Sequence, residues 1–583
     1  MTRLFLLDYG AGNVQSLANS LTALGYEFEW IKSTDDFHKA DKLIFPGVGA
    51  FGGAMETLQK AGLTDPLREY IDSGKHYFGI CIGMQVLFAS STENPEIQGL
   101  GIIPAPIEKF ESLPSRPVPH MGWNGVRLVD EENKEQEAAC TGLSEDLSYY
   151  FVHSYRAAYD PSPHCPSSSW AHSVTKYGQC LFLATVRKGN AFACQFHPEK
   201  SGPAGLQVLK SWLDAPISVV NSSCAVPMVS KPLQAKPRDG FTKRIIACLD
   251  VRSNDDGDLV VTKGDQYQVR EKAPASSDAT QVSVSGAVRN LGKPLDLTTR
   301  YYMEGADEIC MLNITSFRNS PLSDQPMLAM TSAACARIHV PLTIGGGIRD
   351  LVEPDGTKRS ALEVASAYFR AGADKVSIGG DAVVAVEQLV ERKARGEPAL
   401  TGTSSIETIA RPYGSQAVVV SLDPLKKYVE ASWDQAAFGP IPAEDELIHA
   451  KHALSPLPSE AGSEKKWTYL CTMHGGRTVR PLTALQLARG VEELGAGELL
   501  VNSIDRDGQG NGYDLDLLTL IRKNVSIPVV ASSGAGKPQH FVEVFEKTGV
   551  ESALAAGIFH RSEVEISEVK QALKESGILV RRV

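Results

Sequence analysis

Cys81 stands in the run YFGICIGMQ, between Gly79 and Gly83 at the end of an apolar segment. A thiol on a turn between small residues, with an amphipathic helix expected after it, has the form of a nucleophile elbow: the turn exposes the sulfur and the helix start stabilises an anion. Lone cysteines are more often ordinary buried residues, so the reading depends on partners. The run Gln195-Phe196-His197-Pro198-Glu199 follows apolar AFAC. Two residues apart at a strand end, His197 and Glu199 point the same way. A base and its orienting carboxylate need that placement: His197 takes the thiol proton and returns it to the leaving nitrogen, while Glu199 fixes the tautomer. PGVGAFGG (46–53) adds a glycine-rich turn in which the N–H groups of Gly47, Val48 and Gly49 can form an oxyanion hole.

A second set of residues lies further on. Asp250 follows the apolar run IIACL and Asp423 follows AVVVSL. The echo continues in order: ADEICMLNIT (306–315) with AGELLVNSID (496–505), PLTIGGGI (341–348) with PVVASSGA (528–535), and ADKVSIGG (373–380) with ESALAAGI (551–558). Two four-strand halves sum to the eight strands of a (β/α)8 barrel, whose strand C-termini carry the chemistry. There the two aspartates face each other and suit general acid/base work, although strand-end Asp is also a common helix cap. Bare glycine-rich ends offer N–H groups to oxyanions in two clusters. One contains Gly347, Gly379 and Gly380; the other contains Asp507, Gly508, Ser532, Ser533, Gly534, Ala556 and Gly557. Clusters in both halves favour a substrate with a phosphate at each end. At the opposite strand ends, where an apolar layer is expected, stand Arg244, Glu308, Lys375 and Glu498, able to satisfy one another as a ring.

The elements that must position these groups are those of an α/β enzyme. The 583 residues, 43% hydrophobic and 22% charged, exceed one ordinary core. Residues 1–213 alternate strand and helix patterns as an open doubly wound sheet would, 214–240 lose periodicity and read as a linker, and 241–583 form the barrel. Two over-long separators, about 267–297 and about 424–466, read as loop insertions: a mobile lid and a surface excursion. A net charge of −11 argues against binding to a nucleic-acid backbone. No apolar run suits a membrane span or signal. Ten cysteines without a CxxC pair, and thirteen histidines without HExxH, indicate neither disulfide framework nor metal site, so a reducing cytoplasm is expected.

The G-x-C-x-G run and its H-x-E partner resemble the triad (class I) glutamine amidotransferases over 1–213. PHMGWN (119–124) and YFVHSY (150–155) are similar to the version serving histidine biosynthesis. The resemblance implies that Gln85, His153 and Ser154 contact L-glutamine or face the partner domain; as plain residues both runs also fit core strands. KRIIACLDV, VVTKG, TIGGGIRD, GADKVSIG, SQAVVVSLDP and SIDRDG are similar to the cyclase of the imidazole glycerol phosphate synthase family. The whole chain resembles that family's fused eukaryotic form.

What the resemblance implies is specific. Glutamine is hydrolysed, and its ammonia joins the formimino intermediate PRFAR to give imidazole glycerol phosphate and AICAR. Asp250 and Asp423 are catalytic, and Lys263 of a mobile loop contacts substrate, with a solvated charge as its plain alternative. Asn313, where bacterial members commonly carry Asp, orients substrate. Arg244, Glu308, Lys375 and Glu498 form the gate through which ammonia enters, a purely structural ion-pair ring being the alternative. No cofactor is implied, and one chain with both activities suits a monomer. A related barrel isomerase consumes no nitrogen, and a glutamine sensor needs no second catalytic set. The fused glutaminase speaks against the first and the intact residues against the second.

Overall fold

The computed structural model describes all residues except Met1, Ala11, Val48, 114–115, 131–133, 161–164, 216–239, 254–258, 263–290, 315–321, 323–324 and Val583. Val48, Lys263, nearly all of the expected linker and most of the first insertion lie outside the described residues.

The N-terminal half is built on an eight-stranded sheet. Its strands Glu29–Trp30, Leu4–Leu6, Lys42–Phe45, His76–Ile80 and Ala191–Cys194 run parallel in that spatial order. Cys180–Lys188, Ala171–Tyr177 and Arg127–Leu128 then extend it antiparallel. The expectation of an open doubly wound sheet is thus met by the parallel part. Alternation explains why both faces are covered: Phe5, Leu43, Tyr77 and Ala193 enter one core, while Leu6, Ile44, Phe78 and Cys194 enter the other. Ser148–His153 lies outside this sheet and pairs only with His120–Gly125.

The C-terminal half closes a barrel. Arg244–Ser253, Glu308–Asn313, Leu342–Gly345, Lys375–Ile378, Val418–Leu422, Glu498–Asn502, Val529–Ser532 and Ser552–Ala555 pair in parallel, and the last returns to the first. The period of two sorts each strand. Ile245, Ala247 and Leu249 pack outward under the helices, whereas Ile246 and Cys248 join Cys310, Val419, Leu500, Val530 and Leu554 in a separate apolar layer on the axis. On the same parity, Arg244 lies below that layer and Asp250 above it.

The second insertion is not a loop excursion. Pro424–Tyr428, Ile448–His449, Lys466–Met473 and Thr478–Thr483 form an antiparallel sheet. Its polar composition conceals a buried spine: Trp467, Tyr469 and Cys471 enter the barrel's outer core, and the fully buried Glu460 is held by Lys426 at 2.9 Å and by Tyr428.

The two halves dock at the N-terminal ends of the barrel strands. Trp123 Nε1 donates to the Asp307 carbonyl (3.1 Å) under the guanidinium of Arg581, and Lys200 pairs with Asp374 at 2.7 Å. Asn13 Nδ2 donates to the Gly372 carbonyl and to Asp374, both at 2.8 Å. Trp123 and Tyr150 thereby belong to the barrel's core and not to their own domain's.

Candidate active sites

Cys81 has φ 49° and ψ −99°, a backbone state that non-glycine residues rarely hold. Strand His76–Ile80 delivers it, and its N–H is fixed on the Cys194 carbonyl at 2.7 Å. The expected amphipathic helix is a single turn, Ile82–Gln85, because strand Phe88–Ser91 begins soon afterwards. Three glycines make the elbow fit. A Cβ on Gly47 would stand 2.1 Å from the Ile80 carbonyl, one on Gly79 2.3 Å from that of Gly83, and one on Gly83 2.2 Å from that of Phe45. All three obstacles are backbone and cannot swing aside. Gly83→Ala is therefore expected to lower stability by about 1–3 kcal/mol, read as a fall in unfolding midpoint alongside lost glutaminase rate.

His197 and Glu199 meet as their spacing required: Nδ1 lies 2.7 Å from the Glu199 carboxylate, and both side chains are buried. Burial opposes a charged imidazole, but Glu199 and Cys81 outweigh it and raise the His197 pKa to about 10. At neutral pH the ring is therefore a cation beside the sulfur, ready to protonate a departing amine. Glu199→Gln removes the larger of the two charges that hold the proton. The alkaline limb of glutaminase activity is expected to move to lower pH in that variant, and a pH–rate profile with an unmoved limb would contradict the assignment.

Gln195 Nε2 donates to the Cys81 sulfur at 3.4 Å, and Gln85 Nε2 donates to Gln195 Oε1 at 3.0 Å. Gln85 thus reaches the nucleophile through a residue that sequence reasoning passed over, although it begins the QFHPE run. His153 lies in an aromatic cluster. It is buried among Phe110, His120 and Phe182, with Nδ1 2.7 Å from the Tyr155 carbonyl, and burial depresses its pKa to about 3. Its neutral ring is a core element. Ser154 instead lines a cleft between the domains with Tyr155, Glu93, Asn94 and Gln416. Gly49, with φ 138°, and Gly47 line a cavity of about 30 Å³ together with Cys81 and His197, room for one or two water-sized molecules. The far wall of that cavity is Tyr150 and the barrel's Lys375.

Lys375 belongs to a closed ring. Arg244 donates to Glu308 at 2.7 Å and also to Glu498; Lys375 lies 2.6 Å from each of the same two carboxylates. All four are at most 2% exposed, so the charges balance in a medium that would not tolerate one alone. Burial disfavours both charged partners, yet Glu498 and Glu308 raise the Arg244 pKa, and Arg244 with Lys375 lowers that of Glu498. Sequence placed the ring but missed two groups beside it: Thr343, whose hydroxyl donates to Glu308 at 2.7 Å, and Tyr150.

At the other end of the axis, a cavity of about 400 Å³ is lined by Asp250, Asp507, Gly508, Ser532, Ser533, Gly534, Ala556 and Gly557. The second glycine cluster is thereby brought together with one aspartate. Gly347, Gly379 and Gly380 are not part of this cavity. They sit across the barrel mouth, Gly379 opening helix Gly380–Ala394 and Gly346 closing on the backbone of Asn313. Asp423 connects the sides through a residue that sequence analysis did not single out: Asn502 Nδ2 donates to its carboxylate at 3.1 Å while Asn502 Oδ1 accepts from Ser532 and Ser533. Burial raises the Asp423 pKa, with the Asn502 hydrogen bond pulling the other way. Arg561 and His560 also line the cavity.

Comparison with known proteins agrees with this two-site layout. A family described as glutamine amidotransferase class-I matches residues 5–215, and one described as histidine biosynthesis protein matches 244–444 and 459–565. The chain is 48% identical to "Imidazole glycerol phosphate synthase hisHF" of Emericella nidulans, over 100% of this chain and 99% of that one. It is 46% identical to the protein of the same name from Schizosaccharomyces pombe, over 99% of both. The chain belongs to the imidazole glycerol phosphate synthase hisHF family. Like that family it is a bifunctional enzyme of histidine biosynthesis, with a glutamine amidotransferase and a cyclase on one chain. An Arabidopsis thaliana relative, "Imidazole glycerol phosphate synthase hisHF, chloroplastic", is 47% identical over 99% of this chain and 89% of its own. Among the described residues no helix is long and apolar enough to cross a membrane.

Proposed function

We propose that residues 1–213 hydrolyse L-glutamine at Cys81, that the ammonia crosses the Arg244–Glu308–Lys375–Glu498 ring into the barrel, and that residues 241–583 combine it with PRFAR to give imidazole glycerol phosphate and AICAR. Cys81 gives its proton to His197 and attacks the amide carbon, Gly47 to Gly49 receive the oxyanion, and His197 passes that proton to the amide nitrogen, whose bond to carbon breaks as neutral ammonia departs from the thioester. A water then releases glutamate. The observation that carries the route is the small cavity shared by Cys81, His197 and Lys375. Above the ring the apolar layer of Ile246, Cys248, Cys310, Val419 and Leu500 favours neutral ammonia over ammonium, since desolvating an ion costs several kcal/mol. Asp250 and Asp423 move protons at the mouth, with the two glycine clusters holding the phosphates. Lys263 from the neighbouring segment contacts substrate, and Asn313 orients it.

The chain acts as a monomer in this reading, because each site's residues come from one polypeptide, and the cysteines among the described residues, all unpaired, favour the cytoplasm. Amide-15N glutamine tests the route. Supplied with excess unlabelled ammonium in the buffer, the enzyme is expected to place almost only 15N in the imidazole product; dilution of the label toward the buffer ratio would refute internal passage.

A further inference from the structure

The histidine-biosynthesis family matches the barrel on both sides of residues 445–458 and skips those fourteen positions. They include one serine, Ser455, with an unusual number of partners. Ser455 N–H and Oγ–H both donate to the Asp516 carboxylate, at 2.9 and 3.0 Å, and Leu454 N–H donates to it at 2.6 Å. Ser455 Oγ accepts from Leu515 N–H at 3.1 Å, and its carbonyl accepts from the Arg506 guanidinium at 2.5 Å. Every hydrogen-bonding group of Ser455 is therefore spent on one target: the start of helix Leu515–Asn524 and the loop that leads into it. Pro456 follows, which restricts the backbone of Ser455.

That loop carries Asp507 and Gly508, which line the 400 Å³ cavity with Gly510. Its glycines cannot hold their own shape: Gly508 and Gly510 both have φ 69°, and Gly512 has φ 96°. Two further anchors come from the antiparallel sheet on either side of the skipped segment. Lys426 N–H donates to Asp505 at 2.8 Å and Tyr469 OH to Asp514 at 2.9 Å. On the cavity side the Gly512 N–H meets the Gly534 carbonyl at 2.8 Å, so a shift of the loop is felt directly at Gly534.

We infer that the inserted segment 445–458 is a clamp on the phosphate-binding wall of the barrel, with Ser455 as a positioning residue that fixes the Arg506–Gly510 loop for the substrate phosphate. This rests on the reading of that cavity as a phosphate site. The clamp touches no reacting atom. It acts by keeping the loop's N–H groups converged before substrate arrives, so its loss weakens binding while the chemistry, once substrate is seated, proceeds as before.

The test is steady-state cyclisation of PRFAR driven by ammonium, with thermal unfolding measured in parallel. Ser455→Ala deletes the hydroxyl's two bonds, one of them to a carboxylate, and is expected to raise KM for PRFAR about tenfold with kcat within about twofold of the parent. Ser455→Thr, which keeps the hydroxyl, is expected to restore KM. An unchanged KM in Ser455→Ala overturns the proposal, as does a fall in kcat alone or a KM defect that threonine leaves in place. Ser532→Ala, inside the cavity, separates the two levels of the argument. If its KM is also unchanged, the cavity is not the phosphate site; if its KM rises while that of Ser455→Ala does not, the clamp alone is refuted.

Discussion

Cys81→Ala is expected to abolish glutamine-dependent turnover, by on the order of 10⁴-fold or more, while cyclisation driven by added ammonium at elevated pH continues. The first half follows from geometry that no other residue reproduces. The sulfur sits on a backbone held at φ 49° by three glycine contacts, beside a His197 whose pKa is raised to about 10 and which Glu199 orients. Removing it leaves a cation and an oxyanion hole with nothing to attack the amide. The second half follows from distance along the axis. Cys81 lies below the ion-pair ring and the apolar layer, whereas the 400 Å³ cavity with Asp250 lies above both. Alanine is smaller than cysteine and strains no core contact, so the barrel should bind PRFAR as before. Elevated pH enters because an apolar layer on the proposed route favours ammonia over ammonium. Parallel assays of glutamate release and imidazole product decide the matter: a variant that ammonium cannot rescue would mean that the two sites are not independent in the way proposed.

The layout that gives this prediction was largely legible in the sequence, and the exceptions have physical causes. Catalytic residues at strand ends carry a local signature. Cys81 between glycines, His197 two residues from Glu199, and two aspartates closing echoed apolar runs were all readable, because strand periodicity fixes which way each points. The ring was readable for a related reason, since Arg244, Glu308, Lys375 and Glu498 are charges where a strand start should be apolar. What escaped was whatever depends on packing between distant segments. The run around His153 fits a glutamine-facing site, a face toward the partner domain or a core strand, and its packing against Phe110 and Phe182 depends on segments elsewhere in the chain. Asn502 lay in plain view in the second echo, yet its importance is that it touches Asp423 and Ser532 at once, which depends on its strand lying between theirs in the sheet. The second insertion reads as a polar excursion because the buried Trp467 and Tyr469 that its short strands pair against lie just beyond it, in Lys466–Met473.

Asp250→Asn is expected to remove both glutamine-dependent and ammonium-dependent cyclisation, by roughly 10²–10⁴-fold, while glutamine is still hydrolysed. Asparagine keeps the shape of aspartate and a carbonyl acceptor, so a purely structural or capping role would survive the change. Proton transfer would not. Asp250 ends the inward-facing series Arg244, Ile246, Cys248 of the first strand, directly above the apolar layer, and it lines the cavity that holds Gly534 and Gly557. Asp423 occupies the matching place on the fifth strand, and the same substitution there should have the same effect. Asp423 also carries a pH dependence. Burial raises the Asp423 pKa, so activity that needs its ionised form should begin to fall, on acidification, at higher pH than an ordinary aspartate would dictate. The Asn502 hydrogen bond opposes that shift, and Asn502→Ala should therefore move the acid limb further upward. Substantial cyclisation by Asp250→Asn would remove it from the proton path, and an acid limb that ignores Asn502 would mean that Asp423 does not set it.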